Sequence, residues 1–157
     1  MATGTPATKL LKSAGIEFKE HEYSHDPNST SFGLEAAEKL GVDPNRVFKT
    51  LIANVDENFA VAIVPVNQQV SLKSLSRSLG AKRATMADPA QAARLTGYVV
   101  GGISPLGQKR LLTTVIDESA KQFETILVSG GQRGFDIELA PNDLADLLSA
   151  IFAEIAT

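Results

Sequence analysis

Residues 48–65 read FKTLIANVDENFAVAIVP, and this stretch decides what kind of sheet the chain builds. Residues 48–54 and 59–65 carry the aromatic, β-branched and apolar side chains that suit a packed, pleated surface, while Asp56-Glu57-Asn58 between them supplies turn formers. So short a reversal returns the chain antiparallel, because a parallel crossover needs a dozen or more residues. The near-continuous apolar run of the second strand marks it as central. Within the first strand, alternation puts Lys49 on the same face as Leu51. An ammonium sharing a face with core side chains is seldom tolerated unless it is paired or functional. The alternative, of equal weight from the residues alone, is a lysine near a strand end that snorkels to solvent.

Outward from this pair, the punctuation is that of alternating helices and strands. Thr5-Pro6 sets a cap and a first-turn proline before a helix that carries Leu10 and Leu11 and ends at Gly15. Residues 16–23 read as a strand and Ser24 to Thr30 as a loop; a helix then runs from Phe32 to Leu40 and stops at Gly41. Asp43-Pro44 starts a short turn into the first strand of the opening pair. Ser71 caps a helix with Leu72, Leu75 and Leu79 on one face, and Asp88-Pro89 begins another that reaches Thr96 and closes at Gly97. Residues 98–100 are expected to be a strand feeding the loop Gly101-Gly102-Ile103-Ser104-Pro105-Leu106-Gly107. Residues 111–116, 125–129 and 135–139 read as three more strands, the last two joined by Gly130-Gly131-Gln132-Arg133-Gly134. Leu144, Leu147, Leu148, Ile151, Phe152 and Ile155 fall at three-and-four spacing and predict one closing helix. The resulting expectation is an α+β fold: a single domain over 1–157 whose mixed, twisted sheet curls towards a barrel with helices around it.

Composition prunes the chemistry. The 157 residues contain no cysteine, which removes disulfides, thiolate metal sites and a cysteine nucleophile. His21 and His25 are the only histidines; without cysteine partners they make weak metal ligands, and no serine sits in a Gly-x-Ser-x-Gly elbow. Anchoring of surface or loop is the favoured reading of both, and neither a metal nor a cofactor is expected. The 130–134 turn lacks the Gly-Lys-Ser/Thr ending of a phosphate loop and opens no helix. No apolar stretch reaches the length of a membrane span, and Met1 to Pro6 lacks the basic and apolar regions of a signal peptide, so a cytoplasmic location is expected. A net charge of -3 argues against a protein that coats nucleic acid indiscriminately. Lys82-Arg83 and Lys109-Arg110, with Lys73, Arg77 and Arg133, form either a basic rim or ordinary solvated surface. Gly101-Gly102 allows close approach and turns amides towards a ligand such as an ester carbonyl or ribose hydroxyl. A tight bend explains the glycines equally well but leaves Ser104 to Gly107 unaccounted for.

Several of these segments, in order along essentially the whole chain, resemble the YbaK/EbsC family: Phe48-Lys49-Thr50, the run from Thr96 to Gly107, Val128 to Gly134, and Tyr23 to Pro27 with Glu35-Ala36-Ala37 behind it. The resemblance implies the fold shared with the editing domain of prolyl-tRNA synthetase, and within the family it is nearest the bacterial Cys-tRNA(Pro) deacylases. It implies Lys49 and Gly101 as catalytic positions, with Tyr23, Phe32 and Thr50 around the aminoacyl pocket. Gly101 and Pro105 match the family's Gly-x-x-x-Pro loop near the terminal adenosine, with Gly102 and Ser104 inside it, and Ser129 and Asp136 match its polar positions on the opposite wall. The implied reaction is hydrolysis of mischarged aminoacyl-tRNA(Pro) in trans by attack of the substrate's own cysteine thiol on its ester, with no protein nucleophile, metal or cofactor. Release of alanine or another small amino acid is the nearest alternative, and a non-catalytic module that binds tRNA ends or a synthetase is the alternative of another class. The implied partners are aminoacyl-tRNA and prolyl-tRNA synthetase, with the chain itself a monomer.

Overall fold

A computed structural model describes residues 4–157; Met1 to Thr3, which belong to the stretch read above as lacking a leader, lie outside the described residues. Local signals set most element ends. Helix α1 (Pro6–Ala14) starts where the Thr5 hydroxyl accepts the Thr8 N–H at 3.2 Å, and stops at Gly15 in the left-handed region. Strand β1 (Lys19–Glu22) is shorter than the 16–23 expected, and α2 (Phe32–Leu40) runs as predicted to Gly41. After a 3-10 turn at Pro44–Arg46, β2 (Phe48–Val55) and β3 (Asn58–Pro65) pair antiparallel from Phe48 opposite Pro65 to Val55 opposite Asn58. Their turn is pinned by Asp56, whose carboxylate accepts the N–H groups of Lys82 and Arg83.

Helix α3 (Leu72–Ser78), strand β4 (Ala84–Met86), helix α4 (Pro89–Thr96) and strand β5 (Thr113–Asp117) follow, then a 3-10 turn at Glu118–Gln122. Strands β6 (Ile126–Gln132) and β7 (Phe135–Leu139), helix α5 (Pro141–Leu148) and strand β8 (Ile151–Ala153) complete the chain. The larger sheet is ordered β4-β2-β3-β5-β8, antiparallel across β4, β2 and β3 and parallel across β3, β5 and β8. It is therefore mixed, with β3 at its centre as its apolar run predicts. A second, antiparallel sheet is ordered β1-β7-β6 and meets the first at a parallel bridge between Val47 and Leu127. In place of the one curled sheet expected there are two sheets, which share a core with α1 and α5 that includes Leu11, Phe48, Ile63, Ile116, Ile137 and Leu144.

Two expectations fail for stated reasons. Residues 98–100 are a turn, because Gly97 and Gly101 both take positive φ and the buried Tyr98 hydroxyl donates across the loop to the Leu106 carbonyl at 2.6 Å. The closing helix ends at Leu148, where Ser149 adopts φ 51, and Ile151–Ala153 pairs with β5. The Asp117 carboxylate then accepts the N–H groups of Ile155 and Ala156, both at 2.9 Å, holding the tail extended. Among the described residues no helix is long and apolar enough to cross a membrane.

Candidate functional site

Strand β2 has one edge paired along its whole length with β3 and another that β4 covers only at Ala53–Val55. The Val66 N–H donates to the Val47 carbonyl and the Ala87 N–H to the Ile52 carbonyl. Antiparallel alternation then turns the backbone groups of residues 49 and 51 towards β3 and those of Thr50 towards the open edge. Between that edge, the β6–β7 sheet and the start of α2 lies a cavity of about 440 Å³. Tyr23, Phe32, Lys49, Thr50, Gly101, Ser129 and Asp136 all line it. Seven positions scattered over 114 residues of sequence, from 23 to 136, thus converge on one space.

Its polar groups are short of partners. Burial pulls the Lys49 ammonium below its ordinary pKa, and no carboxylate comes within 4.0 Å of it among the described residues. The Thr50 hydroxyl is buried without a hydrogen bond. Asp136, 6% exposed, is pushed up to about 7 by burial alone. It stands directly across from Ser129 in the β6–β7 ladder. Tyr23 is pushed up to about 12, first by burial and then by the charge of Asp136, so its hydroxyl stays neutral. Buried polar groups are ordinarily satisfied; the Lys49, Thr50 and Asp136 side chains, without a protein partner around an open space, make the pattern of a binding site.

The mouth is held by contacts that composition could not reveal. Gly101 has φ +86, and a Cβ there would lie 2.8 Å from the Phe32 ring. The other surroundings of that ring include the His25 imidazole, 5.5 Å between centroids, and the Arg133 guanidinium, 5.0 Å from the ring centre. Arg133 also donates from Nε to the Val100 carbonyl at 2.9 Å, so one side chain joins the glycine loop to α2. Both histidines are anchors: His21 Nε2 lies 2.8 Å from Glu138, and His25 Nδ1 lies 2.6 Å from Glu35, which also accepts the Asp26 N–H.

Three of the residues singled out in the glycine loop are not on the cavity wall. Gly102 packs against the backbone of Gln132 and Arg133, and Ser104 is fully buried with its hydroxyl accepting the Leu106 N–H. Pro105 is buried beside it. These residues shape the loop that presents Gly101. Sequence reasoning missed Met86, Val100 and Leu34, exposed apolar side chains at the cavity wall. Met86 belongs to a three-residue strand too short to carry a periodic signal. Among the described residues no group of three or more histidine, aspartate or glutamate side chains is placed to hold a metal ion.

The aminoacyl-tRNA editing domain family matches residues 26–147. EbsC of Enterococcus faecalis (strain ATCC 700802 / V583), by its name a candidate Cys-tRNA(Pro)/Cys-tRNA(Cys) deacylase, is 36% identical over 154 residues, covering 98% of this chain and 93% of that protein. A proline–tRNA ligase of Thermosipho melanesiensis (strain DSM 12029 / CIP 104789 / BI429) is 28% identical over 117 residues, 74% of this chain but 20% of the ligase. The crystal structure of a candidate trans-editing enzyme for prolyl-tRNA synthetase has the same fold, with a TM-score of 0.82 at 22% identity over 97% of this chain and 95% of that one.

Proposed function

The chain belongs to the aminoacyl-tRNA editing domain family, and from that membership we propose that it deacylates mischarged Cys-tRNA(Pro) in trans. The observation that carries the reading beyond family membership is the Lys49 side chain, half-buried and without a carboxylate partner, at the wall of one cavity with Gly101 and Thr50. An ammonium partly withdrawn from water and free of a counter-ion acts more strongly than an exposed one on negative charge that develops beside it.

The mechanism proposed is the one the family resemblance implies, with the substrate's own thiol as nucleophile, and it agrees with a chain that has no cysteine and whose two histidines are tied to carboxylates. The cysteine sulfur attacks the ester carbonyl carbon and forms a carbon–sulfur bond. The carbonyl oxygen takes negative charge, which Lys49 stabilises. The carbon–oxygen bond to the ribose then breaks, the thiol proton ends on the ribose oxygen, and a cyclic thiolactone leaves a free tRNA end; water opens the thiolactone afterwards. Thiol and ester already share one molecule, so what the pocket adds is the attacking rotamer, held in place of the others. Phe32 and Tyr23 bound the space for a small side chain, and the open edge of β2 at Thr50 offers main-chain groups to the amino-acid portion.

The test is release of cysteine, serine and alanine from the same tRNA(Pro) by the native protein and by Lys49→Ala. The expected result is a large preference for cysteine, since serine is isosteric but a poor internal nucleophile, and loss of activity in a variant that remains folded. Near-native turnover by Lys49→Ala overturns the reading. The net charge of -3 leaves few basic side chains for reading the acceptor stem. Selection of tRNA(Pro) is therefore assigned to a partner such as prolyl-tRNA synthetase, which a monomeric chain would join.

A further inference from the structure

The cavity holds one cation and one acid, and it keeps them apart. Lys49 and Asp136 both line it, yet they form no ion pair, and the Asp136 carboxylate makes no side-chain hydrogen bond to any described residue. The groups that face Asp136 do not neutralise it. Across the β1–β7 ladder, His21 sits opposite Asp136 but places its imidazole on Glu138. Across β6–β7, the Ser129 hydroxyl accepts the Gly131 N–H at 3.2 Å. Tyr23 is neutral, and Glu138, two residues along, takes the Arg46 guanidinium for itself. A carboxylate 6% exposed and left without a partner is costly unless a proton or a ligand supplies the missing positive charge.

We infer that Asp136 receives the α-ammonium group of the aminoacyl ester, so that the site accepts an amino acid only while its amine is free. The inference rests on the proposed activity and adds a specificity rule to it. Of the groups at a charged tRNA end, the phosphate and the ester oxygens are anionic or electron-rich and suit Lys49; the α-amine alone is a cation when protonated. Two separated charges of opposite sign therefore match the two ends of an aminoacyl ester: amine to Asp136, carbonyl to Lys49. The lysine also bars the reversed placement, because it would set ammonium against ammonium. A peptidyl or N-acylated tRNA brings no cation, leaves Asp136 unpaired and is rejected. A site that expects a polar partner discriminates strongly against the analogue lacking it.

The experiment compares tRNA charged with cysteine and tRNA charged with 3-mercaptopropionate, which keeps the thiol and the ester and lacks only the amine. Rates are taken relative to the uncatalysed hydrolysis of each ester, for the native protein and for Asp136→Asn. The native protein is expected to favour the cysteinyl ester by on the order of a hundredfold in kcat/KM. Asp136→Asn is expected to lose most of that preference, its rate on the cysteinyl ester falling further than its rate on the mercaptopropionyl ester. Equal native rates on the two esters overturn the inference and leave the deacylase intact, as does a folded Asp136→Asn that retains the full preference. No turnover of cysteinyl-tRNA by the native protein overturns the deacylase reading and the inference with it. The native comparison requires no variant to fold.

Discussion

Asp136 and Glu138 stand two residues apart on one face of β7, and the fold treats them in opposite ways. Glu138 takes the Thr125 hydroxyl at 2.5 Å, Arg46 Nη2 at 3.1 Å and His21 Nε2 at 2.8 Å. These hold its carboxyl below the usual range, Thr125 most of all, against the opposing effect of burial. Asp136 has no such partner, and burial pushes it up to about 7. The chain evidently has the means to satisfy a carboxylate on this strand. Leaving the neighbouring one bare at the wall of a cavity separates a structural acid from one kept for a ligand.

The sharpest way to break this contrast is to remove each acid in turn. Glu138→Ala strips Arg46 and His21 of their common acceptor and is expected to lower stability by about 2 kcal/mol, read by urea unfolding, with activity per folded molecule unchanged. Asp136→Asn is expected to move stability the other way. The folded pKa of about 7 lies above the ordinary value of 3.8, so between them the folded protein binds more protons than the unfolded chain. Native stability must then fall as pH rises through that window. The amide variant escapes the loss: near pH 4 its Tm should match the native one, and by pH 8 it should lie several degrees higher. Glu138 has the opposite linkage, its stabilisation present above its unfolded pKa and lost as pH falls through the folded one. A drop in Tm for Asp136→Asn at pH 8 would place the two acids in the same class.

The contrast also marks what the sequence could disclose. Helix ends such as Thr5-Pro6 with Gly15, Gly41, and Asp88-Pro89 with Gly97 were readable because caps act within one turn, and the structure places them there. The β2–β3 pair was readable because both strands and their turn are contiguous. Elements fixed from far away were not. Ile151 and Phe152 have helical spacing, yet Ser149 ends the helix and pairing with β5 makes them an edge strand. Strand β4 exists because β2 has an edge to pair with. Lys49 stood out from its own neighbours, since alternation put it beside Leu51, but Asp136 carried no local signal and was named through a family resemblance. The isolation of that acid is a property of β1, β6 and the cavity together, and it needs coordinates to be seen.

Gly101 gives the next largest effect and tests whether the mouth matters apart from the charges. Its φ of +86 disfavours any Cβ, and the one built there meets the Phe32 ring at 2.8 Å. Gly101→Ala is expected to cost about 1–2 kcal/mol of stability from backbone strain and crowding together. It should also lower kcat/KM on cysteinyl-tRNA, because the ring it displaces is part of the cavity wall. Stability measured by urea unfolding and activity measured at a temperature where the variant is folded separate the two losses. Full activity in a folded Gly101→Ala would remove Phe32 from the account of the pocket.

Thr50 gives the smallest effect and repeats the lesson of Asp136 without a charge. Its hydroxyl is buried with no partner, so the folded protein already bears the cost of desolvating it. Thr50→Val keeps the β-branched shape, suits a strand, and replaces the orphaned hydroxyl by a methyl group. The expected result is a protein as stable as the native one or up to about 1 kcal/mol more stable in urea unfolding. Deacylation of cysteinyl-tRNA should fall at the same time, since a ligand that would have bonded the hydroxyl then meets a methyl group. Gain in one measurement with loss in the other is the signature of a group held for a ligand. Loss of stability would instead mean that the hydroxyl has a structural partner, and the neutral half of the contrast between satisfied and unsatisfied groups would fail there while Asp136 could still carry the charged half.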